Sequence, residues 1–187
     1  MRSFKAVGVS LLMLAAAATS ARAEGASLTF QAGYFFPSSS VFKDVYKNGA
    51  VFGADLAVRL AGGLHLWAGA EYFAKNGFLT VTEEETKVRI IPVFAGLRYH
   101  FGRSGVRPYL GAAAAYFLFH EENPLGTISK NGLGFLGQFG LLFKLAGPLR
   151  LDVHANYRVC TLRADGEDPV EAQLGGLAAG GGLSFRF

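Results

Sequence analysis

From Ser27 to the C-terminus the chain alternates, residue by residue, between apolar and small or polar side chains. A period of two is that of a β-strand with two unlike faces. The first such segment, 27–36, sets Leu28, Phe30, Ala32, Tyr34 and Phe36 against Thr29, Gln31 and Gly33. Segments 50–60 and 64–73 repeat the pattern around Ala61-Gly62-Gly63, a tight hairpin connection. Further strands are predicted over 88–101, 106–118, 132–145, 149–158 and 173–187, with short turns at 102–105 and 146–148. The last has Leu177, Ala179, Gly181, Leu183, Phe185 and Phe187 on one face; Gly176, Ala178, Gly180, Gly182, Ser184 and Arg186 occupy the other. Two residues in the fourth segment break the rule. Arg89 falls on the apolar parity, which requires a rim position or a bulge, and Pro92 cannot donate to a ladder and also points to a bulge.

These eight strands alternate short connections with long polar ones at 37–49, 74–87, 119–131 and 159–172. After the first 23 residues no apolar run approaches the roughly 20 residues that a membrane-spanning helix needs. High apolar content without such a helix leaves a closed barrel as the way to cross a bilayer, because every backbone group must then be paired internally. The expected fold is all-β: an eight-stranded antiparallel up-and-down transmembrane β-barrel, with the long loops outside and the short turns and termini in the periplasm. The acids give an independent check. Of 14 Asp and Glu, ten fall in the long loops, and Asp55, Glu71 and Asp152 in the strands all share the non-lipid parity. A carboxylate facing lipid is costly, whereas a soluble barrel with an apolar interior would show the opposite sorting. Aromatics near strand ends on the apolar parity (Tyr34, Phe36, Tyr72, Tyr99, Tyr116, Tyr157, Phe185 and Phe187) suit interfacial girdles.

Residues 1–23 read as a cleaved export signal: Arg2 and Lys5, an apolar run 6–18, and Ala21-Arg22-Ala23 as a small-x-small cleavage site. Residues 24–187 are then one barrel domain. Removing Arg2, Lys5 and Arg22 from the 18 basic residues leaves 15 against 14 acids, so the basic pI of the whole chain implies no nucleic-acid partner. Cys160 is the single cysteine, which forbids an internal disulfide.

The signal segment, the eight alternating strands, Arg107-Pro108-Tyr109-Leu110-Gly111 opening the fifth strand and the terminal Phe187 together resemble the small eight-stranded outer-membrane barrels of the OmpA/OmpX-like group. The resemblance implies export to the outer membrane of a Gram-negative cell, with outer-membrane lipid and lipopolysaccharide as surroundings. It further implies that the insertion machinery reads Leu183, Phe185 and Phe187. It carries no activity, since members range from anchors to adhesins and lipid-modifying enzymes.

The non-lipid parity collects Asp55, Arg59, His65, Trp67, Glu71, Arg98, Tyr109, Gln138, Lys144, Arg150, Asp152, His154, Asn156 and Arg158. An eight-stranded barrel is nearly filled by its own side chains, so these are expected to form a paired polar network in the lumen. Small residues on the eighth strand are expected to make room for the long ones. Bases gather near the short turns (Arg59, Arg98, Arg107, Lys144, Arg150 and Arg186), so anions would be favoured in a narrow low-conductance channel, the alternative reading. The lipid A-modifying enzymes of this fold use Ser and His. Here His154-Ala155-Asn156 lacks a hydroxyl nucleophile beside the His, and His154 takes the lumen parity. No enzyme, cofactor or metal site is expected. The acidic runs Glu83-Glu84-Glu85 and Asp165-Gly166-Glu167-Asp168 read as loop surface, or as contacts for cations or an unknown surface partner, and Cys160 as a residue at the rim. The function expected is structural or surface-interactive, through the four long loops.

Overall fold

The computed structural model describes residues 25–78, 85–102, 105–124, 126–163 and 171–187. It is an antiparallel barrel of β1 (Ala26–Pro37), β2 (Gly49–Ala61), β3 (Leu64–Phe78), β4 (Glu85–His100), β5 (Val106–Asn123), β6 (Gly126–Ala146), β7 (Leu149–Arg163), β8 (Glu171–Gln173) and β9 (Gly176–Arg186). Consecutive strands pair from β1 through β8, and β9 closes the barrel by pairing with both β1 and β7. β8 and β9 form one wall: β8 continues the β7 register past Leu174, whose N–H donates to the Cys160 carbonyl. The wall therefore has eight strands.

Alternation fixes which face meets lipid. Phe30, Phe52, Leu66, Val93, Leu110, Phe139, Val153 and Leu183 are exposed on the outside, and their chain neighbours point inward. The outward face then turns polar at one level. It changes from Ile91 to Arg89 and Lys87 on β4, from Leu118 to His120 and Glu122 on β5, and from Leu133 to Asn131 on β6. Tyr34, Phe36, Tyr72, Tyr116 and Tyr157 mark that boundary, and Tyr99, Phe101, Phe185 and Phe187 the opposite one. This is the apolar band between aromatic girdles that a bilayer requires. Arg89 thus sits outward just above the band, with the register on both sides intact.

Pro92 does not produce a bulge. It pairs with Phe117 in unbroken β4–β5 register, and β3–β4 keeps one offset from Ala70↔Val93 to Phe73↔Ile90. The ladder merely lacks the intervening pairs, where the proline has no N–H to give. The register shifts occur instead beside short turns, between Arg59 and Ala61 and between Lys144 and Ala146. Gly62 (φ 55°) and Gly147 (φ 52°) supply the left-handed residues those turns need.

The long connections are less loop-like than the polar composition suggests. β3 runs to Phe78, β7 to Arg163, and β5 and β6 climb to Asn123 and from Gly126, so most of 119–131 is a hairpin. A strand crosses a bilayer in about 9–11 residues, so the 18 and 21 residues of β5 and β6 carry it well beyond. Of the acidic runs, Glu85 lies on β4 and accepts from Asn76 at 3.0 Å; Glu83, Glu84 and 165–168 lie outside the described residues.

The first connection contains a helix, α1 (Ser40–Tyr46), which strand periodicity did not anticipate. Ser39 caps it through its side chain, 3.4 Å from the Phe42 N–H. Phe42, Val45 and Tyr46 fall on one face at helical spacing and enter the mouth of the barrel, while Val41 faces out. The Tyr46 hydroxyl lies 3.0 Å from Thr86 Oγ1, which donates onward to the Glu122 carbonyl. Burial pushes the Tyr46 phenol above its ordinary pKa, so it stays a neutral hydrogen-bonding group. Phe42→Ala is expected to loosen α1 by ~1–2 kcal/mol, raising trypsin cleavage after Lys43 and Lys47 by about 5–30-fold. The check is limited proteolysis of the folded barrel; an unchanged rate would contradict a docked helix.

Candidate functional site: the lumen and its two mouths

The inward residues stack in three layers. Nearest the outer mouth is an apolar plug: Phe35, Phe73, Val88, Ile90, Phe117, Leu136, Leu162 and Leu174, with α1 above. Phe35 meets Phe73 edge-on at 5.3 Å between centroids. Sequence reading missed this layer, having assigned the inner parity to polar and small residues. The available signal was loss of alternation, as in Val88-Arg89-Ile90-Ile91, since strands buried on both faces lose their polar positions. Cys160 belongs to this plug; β7 continues past it, so it lies inside the barrel and not at a loop rim.

A polar layer follows. Glu71 pairs with Arg158 and also accepts from Asn156 (2.9 Å) and Gln31 (3.4 Å). Arg158 lies against the Phe35 ring above it, 4.9 Å from the centroid. Deeper, Arg98 donates to Asp55 (3.3 Å) and Gln138 (2.7 Å). Its guanidinium is held between the rings of Trp67 and Tyr109, at 4.3 and 4.7 Å. The Tyr109 hydroxyl donates to Asp152, which also takes His154 Nδ1 at 2.9 Å. An ionised carboxylate only accepts, which places the His154 proton on Nδ1. His154 is therefore engaged with an acid inside the lumen, away from the lipid face. All of these side chains are buried; Trp67, Arg98, Tyr109 and Arg158 are each at most 1–2 % exposed.

The inward aromatics share one packing device. Phe94 lies over Gly69, Phe73 over Gly49, Phe117 over Gly134, Phe35 over Gly176 and Trp67 over Gly111, so close that a Cβ on each glycine would sit 2.7–3.0 Å from the ring. Tyr109 covers its cross-strand partner Gly140 more tightly still. Inward rings and strand glycines thus go together: the ring fits only where the neighbouring backbone carries no side chain. On β9 Gly176 makes room for an aromatic ring as expected, but Gly180 and Gly182 serve another purpose. A Cβ on Gly180 or Gly182 would strike the backbone carbonyls of Ala32 or Phe30 on β1, so these glycines permit close strand approach and do not make space for long side chains.

The third layer is the mouth beside the short turns. A cavity of about 760 Å³ opens there, lined by Arg59, His65, His100, Arg107, Arg150 and Arg186 among others. His65 and His100 stack at 4.2 Å, and Arg59 donates to the Gly62 carbonyl. So Arg59, His65 and Arg150 lie in this mouth, apart from the network of Asp55, Glu71, Arg98, Gln138, Asp152, His154, Asn156 and Arg158. Lys144 is exposed at the β6–β7 turn and joins neither. Leu183 and Phe185 are outward on β9, and Phe187 is exposed beyond it. Among the described residues no group of three or more His, Cys, Asp or Glu is placed to hold a metal ion.

No protein-family model and no curated protein sequence matches this chain. Solved structures do. It superposes on Neisserial surface protein A with TM-score 0.60 and 16% identity, covering 88% of this chain and 97% of that one. It is similar in the same way to the N-terminal β-barrel domain of Pseudomonas aeruginosa OprF (TM-score 0.56, 16% identity, 87% and 99%). A third is Ail, the attachment invasion locus protein of Yersinia pestis, solved with the heparin analogue sucrose octasulfate (TM-score 0.54, 15% identity, 87% and 99%). These likenesses show the fold: the chain is an eight-stranded up-and-down β-barrel with an apolar outer band, similar to small barrels solved from outer membranes.

Proposed function

We propose that this barrel is closed to solutes and serves as a structural membrane element that presents a strand-built hairpin at the cell surface. The supporting observation is the extension of β5 and β6 beyond the lipid band, seated on a lumen filled by the apolar plug and the Arg98 and Arg158 networks. A hairpin held by backbone pairing up to Asn123↔Gly126 is a preformed contact surface, which lowers the ordering cost of binding. Lys87 and Arg89, exposed just above the aromatic boundary, are the residues this reading assigns to lipopolysaccharide phosphates. Leu183, Phe185 and Phe187 are the residues this reading assigns to recognition by the insertion machinery, and residues 1–23 to export.

Two measurements test the reading. In planar bilayers the refolded chain is expected to give no discrete conductance steps; regular steps would restore the narrow channel. Cells exporting the chain are expected to lose surface adhesion when 119–130 is cut back to a short turn, while the barrel still folds. Undiminished adhesion would remove the hairpin from the account.

A further inference from the structure

The mouth beside the short turns is chemically unlike the rest of the lumen. Four guanidiniums, from Arg59, Arg107, Arg150 and Arg186, line it together with His65 and His100. No carboxylate lines it among the described residues, and none of the four arginines makes an ion pair there. The nearby lumen acids are committed elsewhere, Asp55 to Arg98 and Asp152 to Tyr109 and His154. Arginine stays protonated at any physiological pH, so the mouth holds a fixed, concentrated positive charge. Arg107 and Arg150 are half-buried there, where like charges repel more strongly than in open solvent.

Two observations point to a ligand and not simply to repulsion. His100 is 95% buried, yet neither ring nitrogen has a hydrogen-bond partner, and the ring borders the cavity. Arg107 Nε is likewise buried and unpartnered at the cavity wall. The cavity, about 760 Å³, falls within the range of small-molecule sites, roughly 300–1,000 Å³. Residues of every barrel wall strand line it, and His100 at its wall packs against Tyr109 of the charged layer.

We propose that this mouth is a binding site for a phosphate-rich anion of the di- or triphosphate class, held by Arg107 and Arg150 with His100 donating from the wall. Several forked guanidiniums match the several oxyanion groups of such a ligand, and one phosphate would neutralise only part of the charge. The same chemistry could come from a soluble periplasmic compound or from a lipid that carries two phosphates, such as cardiolipin, reaching in from the inner leaflet.

The test is titration calorimetry of inorganic tripolyphosphate into the refolded full chain in a maltoside detergent at 150 mM salt. One ligand per barrel is expected, and Arg107→Gln with Arg150→Gln is expected to weaken it by about tenfold or more. Arg59→Gln, at an exposed position bonded only to a turn carbonyl, should weaken it too and leaves the fold unaffected. Lys87→Gln with Arg89→Gln, at the opposite mouth, should change nothing. No binding, or an equal loss in both double variants, would overturn the proposal. Repeating the titration in nanodiscs separates the sources. Equal affinity with and without cardiolipin indicates a soluble ligand, and suppression by cardiolipin a lipid headgroup.

Discussion

Arg98→Ala is expected to destabilise the barrel by ~3–5 kcal/mol, because it leaves Asp55 as an uncompensated charge in a sealed lumen. Arg98 is 2% exposed and serves four groups at once: Asp55 and Gln138 as acceptors, Trp67 and Tyr109 as flanking rings. Removing Asp55 as well should restore part of the loss, since the penalty is mainly that of the orphaned acid. The measurement is guanidinium unfolding in detergent followed by Trp67, the sole tryptophan, whose ring lies against the guanidinium. Equal stabilities for wild type and Arg98→Ala would mean that the network does not hold the lumen together.

The second large effect falls on a residue with no side chain. Gly140→Val places two methyl groups and a Cβ where the Tyr109 ring lies. Tyr109 is fully buried, flanked by Arg98 and bonded to Asp152, so it cannot swing aside without breaking both contacts. Overpacking costs about 1–3 kcal/mol, and the weakened Asp152 contact adds to it. The variant is expected to refold poorly, with a reduced fraction showing faster gel migration before boiling. Gly137→Val, on the outward face three pairs away, has open space at its Cβ and should refold normally. The contrast separates packing from strand propensity, which favours valine at both positions.

How much of this was legible in the sequence follows from what a period of two can encode. It placed Phe52, Leu56 and Leu66 outward, and Asp55 and Trp67 inward, without error, because lipid and lumen demand opposite chemistry there. It did not reveal the apolar plug, because once Phe35, Phe73 and Phe117 are needed inside, both faces become apolar and the contrast that marks a face disappears. It also ended strands too early. Above the lipid band the outward residues become polar, as at Arg89, His120 and Asn131, so β3 to β7 read as loops although their pairing continues. α1 was hidden for a related reason: only Phe42, Val45 and Tyr46 mark its inner face, a short run at helical spacing in a polar stretch with Val41 outside it. The basic mouth was visible as a list of arginines; that His100 and Arg107 are unpartnered there required the fold.

The central claim is that this chain crosses a membrane as a barrel with its apolar outward residues in lipid and its charged layer within. Contacts between detergent acyl chains and individual side chains, read as intermolecular NOEs on the refolded protein, test it most directly. The account predicts strong acyl-chain contacts at Phe30, Phe52, Leu66, Val93, Leu110, Phe139, Val153 and Leu183, and none at Trp67, Phe117, Asp152 or Arg158. Acyl-chain contacts at the second group with water contacts at the first would contradict it.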